Sequence, residues 1–298
     1  MLNPFLTVDD QIARLQDFHD LEIEDDTTAK LYLARRNYYR LNYYFKKFLG
    51  GDDKFGGRIS FNDIVKIEET DSKLRHMLFQ YIGYIELKLR TQFGYWTAEA
   101  FQADAFYNQS CFATIKNISG YTICQRCISE ILSTHCDDPA IKHHVVNYNN
   151  YLPTWVAVEF LSFGSLSLLL KYLKSSIRDK IINYFRTTNN LQIAKKDSLS
   201  WVHAVSVFRN ICAHHGALFR LKLRVKPAKK NSKLKRIGNA NIFSIVYCIN
   251  YLLSNDERTE LFNELQNFEQ EILNYTANRY QLQLSDYGFP QNWCDYLT

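Results

Sequence analysis

The chain has 298 residues, 46% hydrophobic and 22% charged, enough apolar material for a core in one large domain or two small ones. Only 11 Gly and 5 Pro punctuate it, low for a sheet protein built on tight turns, so the composition points to a mostly helical chain and argues against disorder. The net charge of +5 is concentrated: nine Lys or Arg and no Asp or Glu lie between Arg220 and Arg236, which leaves the remainder net acidic.

Apolar residues at helical spacing predict helices over residues 8–20 and 27–49, the second holding the aromatic run NYYRLNYYFKKFL from Asn37 to Leu49. Gly50, Gly51, Gly56 and Gly57 mark a loop, and Ser60 reads as the N-cap of a short helix. From Thr70 to Phe101, Leu74, Leu78, Tyr81, Ile85, Leu89 and Phe93 recur every three or four residues, predicting one long helix with a buried stripe. Pro139 and Pro153 bracket a polar interval expected to be a loop between an N-terminal lobe, residues 1–150, and a C-terminal lobe, residues 151–298; the two can also form one continuous domain. Helices are predicted after Pro153, through Ile181 and Phe185, from Leu199 to Gly216, and from Asn241 through Tyr275, giving an all-α fold.

No stretch approaches the roughly eighteen apolar residues of a membrane span. The start, MLNPFLTVDDQIARLQ, lacks the basic opening and apolar run of a signal peptide, so the expected location is the cytoplasm, with no membrane partner. Seven scattered cysteines, an odd number, point to free thiols. Cys124 and Cys127, with Cys136, His135, His143 and His144 nearby, have one half of a zinc pattern without the other, and ICQRCISEIL also reads as an ordinary helix, so no metal or other cofactor is expected.

The helix SWVHAVSVFRNICAHHGA, from Ser200, carries the densest chemistry. On a wheel of 100° per residue with Trp201 at zero, Val205, Phe208 and Cys212 fall within about 40°, forming an apolar face. His203, Asn210 and His214 fall at roughly 200°, 180° and 220° on the opposite face, with Arg209 on the flank near 80°. His215 falls at about 320°, toward the apolar side, and reads as structural. Arg can hold a phosphate with two parallel hydrogen bonds and counter transition-state charge. His can transfer a proton near neutral pH and Asn can orient it. These types suffice for RNA cleavage by a 2′-hydroxyl; equally, they suit a helix end whose cations meet the C-terminal dipole before Gly216.

Four segments, NYYRLNYYFKKFL, IGYIELKLRTQFGY, LPTWVAVEFLSFGSLSLL and SWVHAVSVFRNICAHHGALF, resemble the Abi-like proteins of bacterial abortive-infection systems, of the AbiD and AbiF kind, within the HEPN superfamily. The resemblance covers about residues 8–270. It implies a HEPN-like helical bundle core with an added N-terminal helical lobe, and metal-independent RNA cleavage by Arg209, Asn210 and His214, which match an Arg-polar-spacer-His motif. It also implies a homodimer supplying a second motif, and some relatives are accompanied by a structured small RNA. His203 and His215 stand as auxiliary candidates.

The basic arm supplies an electrostatic track for RNA through Arg220, Lys222, Arg224, Lys226, Lys229, Lys230, Lys233, Lys235 and Arg236, unless it is only a solvated loop. Tyr38, Tyr39, Tyr43, Tyr44 and Phe45 can stack bases but more often such residues pack a core or an oligomer interface; Arg40, Lys46 and Lys47 among them keep an RNA contact open. Arg90 is expected to pair with Glu86 four residues earlier. The expected function is therefore an endoribonuclease toxin of phage defence. The alternatives are a non-cleaving RNA-binding or regulatory protein of a defence system, and a structural or sensor protein. No Gly-rich phosphate loop, HExxH motif or nucleophile elbow is present, which disfavours nucleotide hydrolysis, zinc proteolysis and esterase chemistry.

Overall fold

One helix of 41 residues, Phe61–Phe101, organises the fold. The computed structural model describes residues 5–188, 195–229 and 232–298. At 1.5 Å per residue the long helix runs about 60 Å. Ser60 caps it, its hydroxyl accepting from Asp63 N while the Asp63 carboxylate accepts from Ser60 N, each at 3.2 Å. The short helix after Ser60 and the long one from Thr70 are thus one element. Glu68 and Asp71, which interrupt the apolar stripe, continue it as buried ionic groups.

In chain order the α-helices are α1 (Val8–Ala13), α2 (Asp26–Arg35), α3 (Tyr38–Phe45), α4 (Phe61–Phe101), α5 (Gly120–Thr134), α6 (Pro139–Asn147), α7 (Thr154–Phe160), α8 (Phe163–Tyr172), α9 (Ser175–Thr188), α10 (Lys195–Ala213), α11 (Ser232–Ile237), α12 (Ile242–Leu252), α13 (Asn255–Leu273) and α14 (Cys294–Leu297). A small antiparallel hairpin, β1 (Thr114–Ile115) and β2 (Ile118–Ser119), is the one sheet among the described residues, so the fold is all-α as expected.

Local capping explains where the sequence expectations and the structure part. The helix expected over 27–49 is two, because Asn37 accepts from Tyr39 N at 2.8 Å and starts α3 afresh. The interval after Pro139, expected as a loop, opens with α6: Asp138 caps Ala140 N at 2.8 Å, and Pro139 occupies a first-turn position where its missing N–H costs nothing. The stretch after Pro153 breaks at Ser162, which caps α8 through Ser165 N at 3.0 Å. Ser254 similarly separates α12 from α13 through a capping box with Glu257.

Every residue of α12 is buried, the mark of a helix surrounded by others. It packs against α4, α10, α11 and α14, while α4 also contacts α3, α7, α8, α9, α10 and α13. One buried hydrophobic cluster consequently runs from Ile12 to Leu297 across residue 150. α10 is clamped among α4, α8, α9 and α12, with Trp201, Val205, Phe208 and Cys212 buried on its inner face as the wheel requires. No described helix is long and apolar enough to cross a membrane.

Candidate active site

α10 ends at Ala213, and its last residues form a Schellman turn. Gly216 N donates to Ile211 O at 2.7 Å and His215 N to Cys212 O at 3.1 Å, the two bonds that define the motif. His215 therefore occupies the left-handed position, φ +55°, usually held by glycine. Gly216 sits one residue later for a different reason: a Cβ there would come within 2.7 Å of Ile211 Cγ2 and 3.0 Å of Ile211 O. The wheel angle of 320° fails for His215 because the helix has already stopped, and its side chain is exposed instead of facing the core. His214 remains in register, its N donating to Asn210 O at 3.0 Å, and is also exposed.

The turn is anchored from α3 and α4. Arg40 donates to His215 O at 2.5 Å and Arg75 to Gly216 O at 3.2 Å. Asp71 Oδ2 accepts from Leu218 N at 2.5 Å, Phe219 N at 3.2 Å and the Tyr44 hydroxyl at 2.8 Å. Burial pushes the Asp71 carboxyl up to about 6, with these hydrogen bonds and Arg75 opposing the shift. Tyr44 and Phe45 are thus core residues, and Tyr43 donates to Phe219 O at 3.0 Å; of the aromatic run, Tyr39 stays exposed.

Arg209 lies across α4. Its Nε is 3.5 Å from Glu86 Oε2, and its guanidinium sits 5.6 Å over the Phe79 ring. Glu86 also pairs with Arg90 at 2.8 Å, as the spacing predicts, and Arg90 caps the end of α7 by donating to the carbonyls of Glu159 at 3.0 Å and Leu161 at 2.9 Å. Arg209 and exposed Asn210 line a cleft of about 360 Å³ whose other walls include Glu86, Arg90, Glu130 and His135. His214 does not line that cleft; it stands at the end of the same helix.

His203 is separated from this group. It is exposed, with Nδ1 3.5 Å from Ser167 Oγ at the packing of α8 on α10. Sharing a wheel face with His214 does not bring the two together, because eleven residues along a helix span about 16 Å. Within one protomer they cannot serve one phosphate.

The basic segment is not a free arm. Leu223 and Pro227 are buried, and the chain folds back along α10: Ala228 N donates to Ser200 Oγ at 2.9 Å and the Trp201 indole to Ala228 O at 3.2 Å. This alternation turns Lys222, Arg224 and Lys226 outward; Lys229, Lys235 and Arg236 are exposed as well. The chain bends at Arg224 and Val225, between the first and third of these exposed cations. Arg220 leaves the set. It bonds Asp286 at 2.9 Å and the Tyr280 hydroxyl at 2.8 Å and lies over the rings of Phe48, Phe219 and Tyr280, a structural post. Lys233 donates to Asp295 O at 3.2 Å, and Lys230 lies outside the described residues.

A second cleft, of about 350 Å³, opens on the other side of the turn among Arg35, Arg36, Arg40, Glu68, Arg75, His76 and His215. Of these, sequence reasoning had singled out Arg40 and His215. The available signal was the recurrence of Glu68, Ser72, Arg75, His76 and Phe79 at i, i+3 and i+4, with Glu86 and Arg90 on the same side of α4 two turns further on.

Cys124 and Cys127 face the core from α5, and burial raises both thiols above their ordinary range. All seven cysteines are free, and the described residues contain no cluster of three or more His, Cys, Asp or Glu placed to hold a metal ion.

No curated protein and no solved structure matches the chain. The Abi-like protein family pattern matches residues 31–220, which span α3, α4, the cleft and the RNICAHHG turn, and on that match the chain belongs to the Abi-like family.

Proposed function

We propose that this Abi-like protein is a metal-independent HEPN endoribonuclease acting in abortive infection. The observation that carries the reading is the composition of the α10 terminus: Arg209 and Asn210 on an open cleft, and an exposed His214 one turn on, all held by a turn that α3 and α4 fix in place.

In this reading an RNA 2′-hydroxyl attacks the adjacent phosphorus. The new 2′-O–P bond forms as the P–O5′ bond breaks, leaving a 2′,3′-cyclic phosphate and a 5′-hydroxyl. His214 moves a proton at one of these two oxygens. Arg209 shifts from Glu86 to the phosphate and counters its developing charge, and Asn210 positions the scissile group. Removing one proton-transfer group costs about 10²–10⁴ in rate, and removing a charge-stabilising donor about 10²–10³. One protomer offers a single such His beside Arg209, so a homodimer that brings a second copy's motif alongside would supply the other proton transfer.

RNA is guided by the exposed cations Lys222, Arg224, Lys226 and Lys229. A structured small RNA is a candidate partner for the same cations. The Glu86 pair that occupies Arg209 favours a second reading, a non-cleaving RNA-binding protein of a defence system. Labelled RNA incubated with purified protein in chelator separates the two. Cleavage with cyclic-phosphate ends, lost in Arg209→Ala and His214→Ala, supports the first; salt-dependent binding with no cleavage supports the second.

A further inference from the structure

We infer that the arginine-lined cleft beside the His215 turn is a phosphate-binding site. It goes beyond the cleavage reading, because it stands on the cleft alone. Arg36, Arg40 and Arg75 converge on one carboxylate, Glu68, at 3.4, 3.8 and 3.7 Å. A well-formed guanidinium–carboxylate hydrogen bond is about 2.7–2.9 Å, so none of the three makes a close pair with Glu68, and Glu68 with Asp71 leaves the three guanidiniums in excess. Glu68 also accepts from the Tyr32 hydroxyl at 2.8 Å, which uses part of its remaining capacity.

Arg75 makes the argument independent of surface charge. Its side chain is 3% exposed, its Nε has no hydrogen-bond partner, and its second carboxylate neighbour, Asp71, is 3.7 Å away. A buried guanidinium with an unmet donor and no close carboxylate is under-compensated, and an anion in the cleft that Arg75 lines offsets its charge. Arg35, His76 and His215 complete the rim with further donors. Among the described residues no Phe, Tyr, Trp or aliphatic side chain lines the cleft. Its lining is dominated by guanidinium and imidazole groups, which suits it to a phosphate.

The site touches the candidate active site through two bonds. Arg40 and Arg75 are the residues that hold the carbonyls of His215 and Gly216, so a phosphate on these guanidiniums bears directly on the turn that carries His214.

Calorimetry of the full chain with inorganic pyrophosphate at low ionic strength tests the site. One saturable site is expected, weakened at least about tenfold by the double change Arg36→Gln and Arg40→Gln. Arg36→Gln alone, at a side chain 43% exposed and hence tolerated by the fold, should weaken it several-fold in the same direction. Competition by a short single-stranded RNA, measured on His214→Ala, identifies the source: displacement of pyrophosphate means an RNA backbone phosphate, and no displacement means a small free phosphate. Either result keeps the site. Absence of pyrophosphate binding at millimolar concentration, or binding unchanged by both variants, overturns it. Loss of the ribonuclease reading would leave this outcome untouched, since no cleavage enters the measurement.

Discussion

Replacing His215 by glycine should stabilise the protein. A residue with a Cβ held in the left-handed region costs about 1–2 kcal/mol, and His215 sits there at φ +55° with its side chain exposed, so the substitution sacrifices no burial. Glycine brings its own penalty of about 0.5–1 kcal/mol from the freedom it restores to the unfolded chain. The net expectation is a gain of about 0.5–1 kcal/mol, or a rise of about 1–2 °C in Tm for a chain this long. Urea denaturation of wild type, His215→Gly and His215→Ala side by side is the assay. Alanine keeps the Cβ, so it should not stabilise. A gain for alanine equal to that for glycine, or a loss for glycine, would refute the strain argument. It would show that the imidazole, and not the backbone, sets the energy of the turn.

Further expectations concern charge. Burial raises the Asp71 carboxyl to about 6, so between about pH 4 and pH 6 the folded chain holds a proton that the unfolded chain has released. Stability should fall through that window as pH rises, by on the order of 3 kcal/mol from this group, and Asp71→Asn should flatten the slope. An unchanged slope in the variant, followed by denaturation at each pH, would remove Asp71 from the account. On the basic segment, Arg220→Ala should cost about 1–2 kcal/mol of stability through its bonds to Asp286 and Tyr280. Arg224→Glu and Lys226→Glu should leave stability within about 0.5 kcal/mol, yet lower RNA affinity and reduce its salt slope by about one per cation removed. Equal effects of all three on the salt slope would contradict the division between post and track.

Much of the fold is legible because apolar periodicity and caps are local properties. The buried stripe from Leu74 to Phe93, the Ser60 cap and the inner face of α10 follow from spacing alone. What escapes is burial of charge. Glu68 and Asp71 look like a solvated interruption of a helix, and their partners Arg36, Arg40, Arg75 and Tyr44 are dispersed over the end of α2, α3 and α4 and brought together by packing alone. α6 carried its signal, an Asp before a Pro, but its polar composition disguised a helix with a single buried residue, Ile141. The site divides in the same way. Arg209, Asn210 and His214 are adjacent in sequence and visible there. Their setting is not: Glu86 opposite Arg209, His135 across the cleft, and the left-handed His215 are tertiary facts, and a wheel cannot anticipate where its own helix ends.

The ribonuclease account meets its most direct test in the RNA ends made by purified protein in chelator. It predicts 2′,3′-cyclic phosphate and 5′-hydroxyl products from wild type, with the rate reduced about a hundredfold or more in both His214→Ala and Arg209→Ala. Cleavage that survives His214→Ala at the wild-type rate would contradict it.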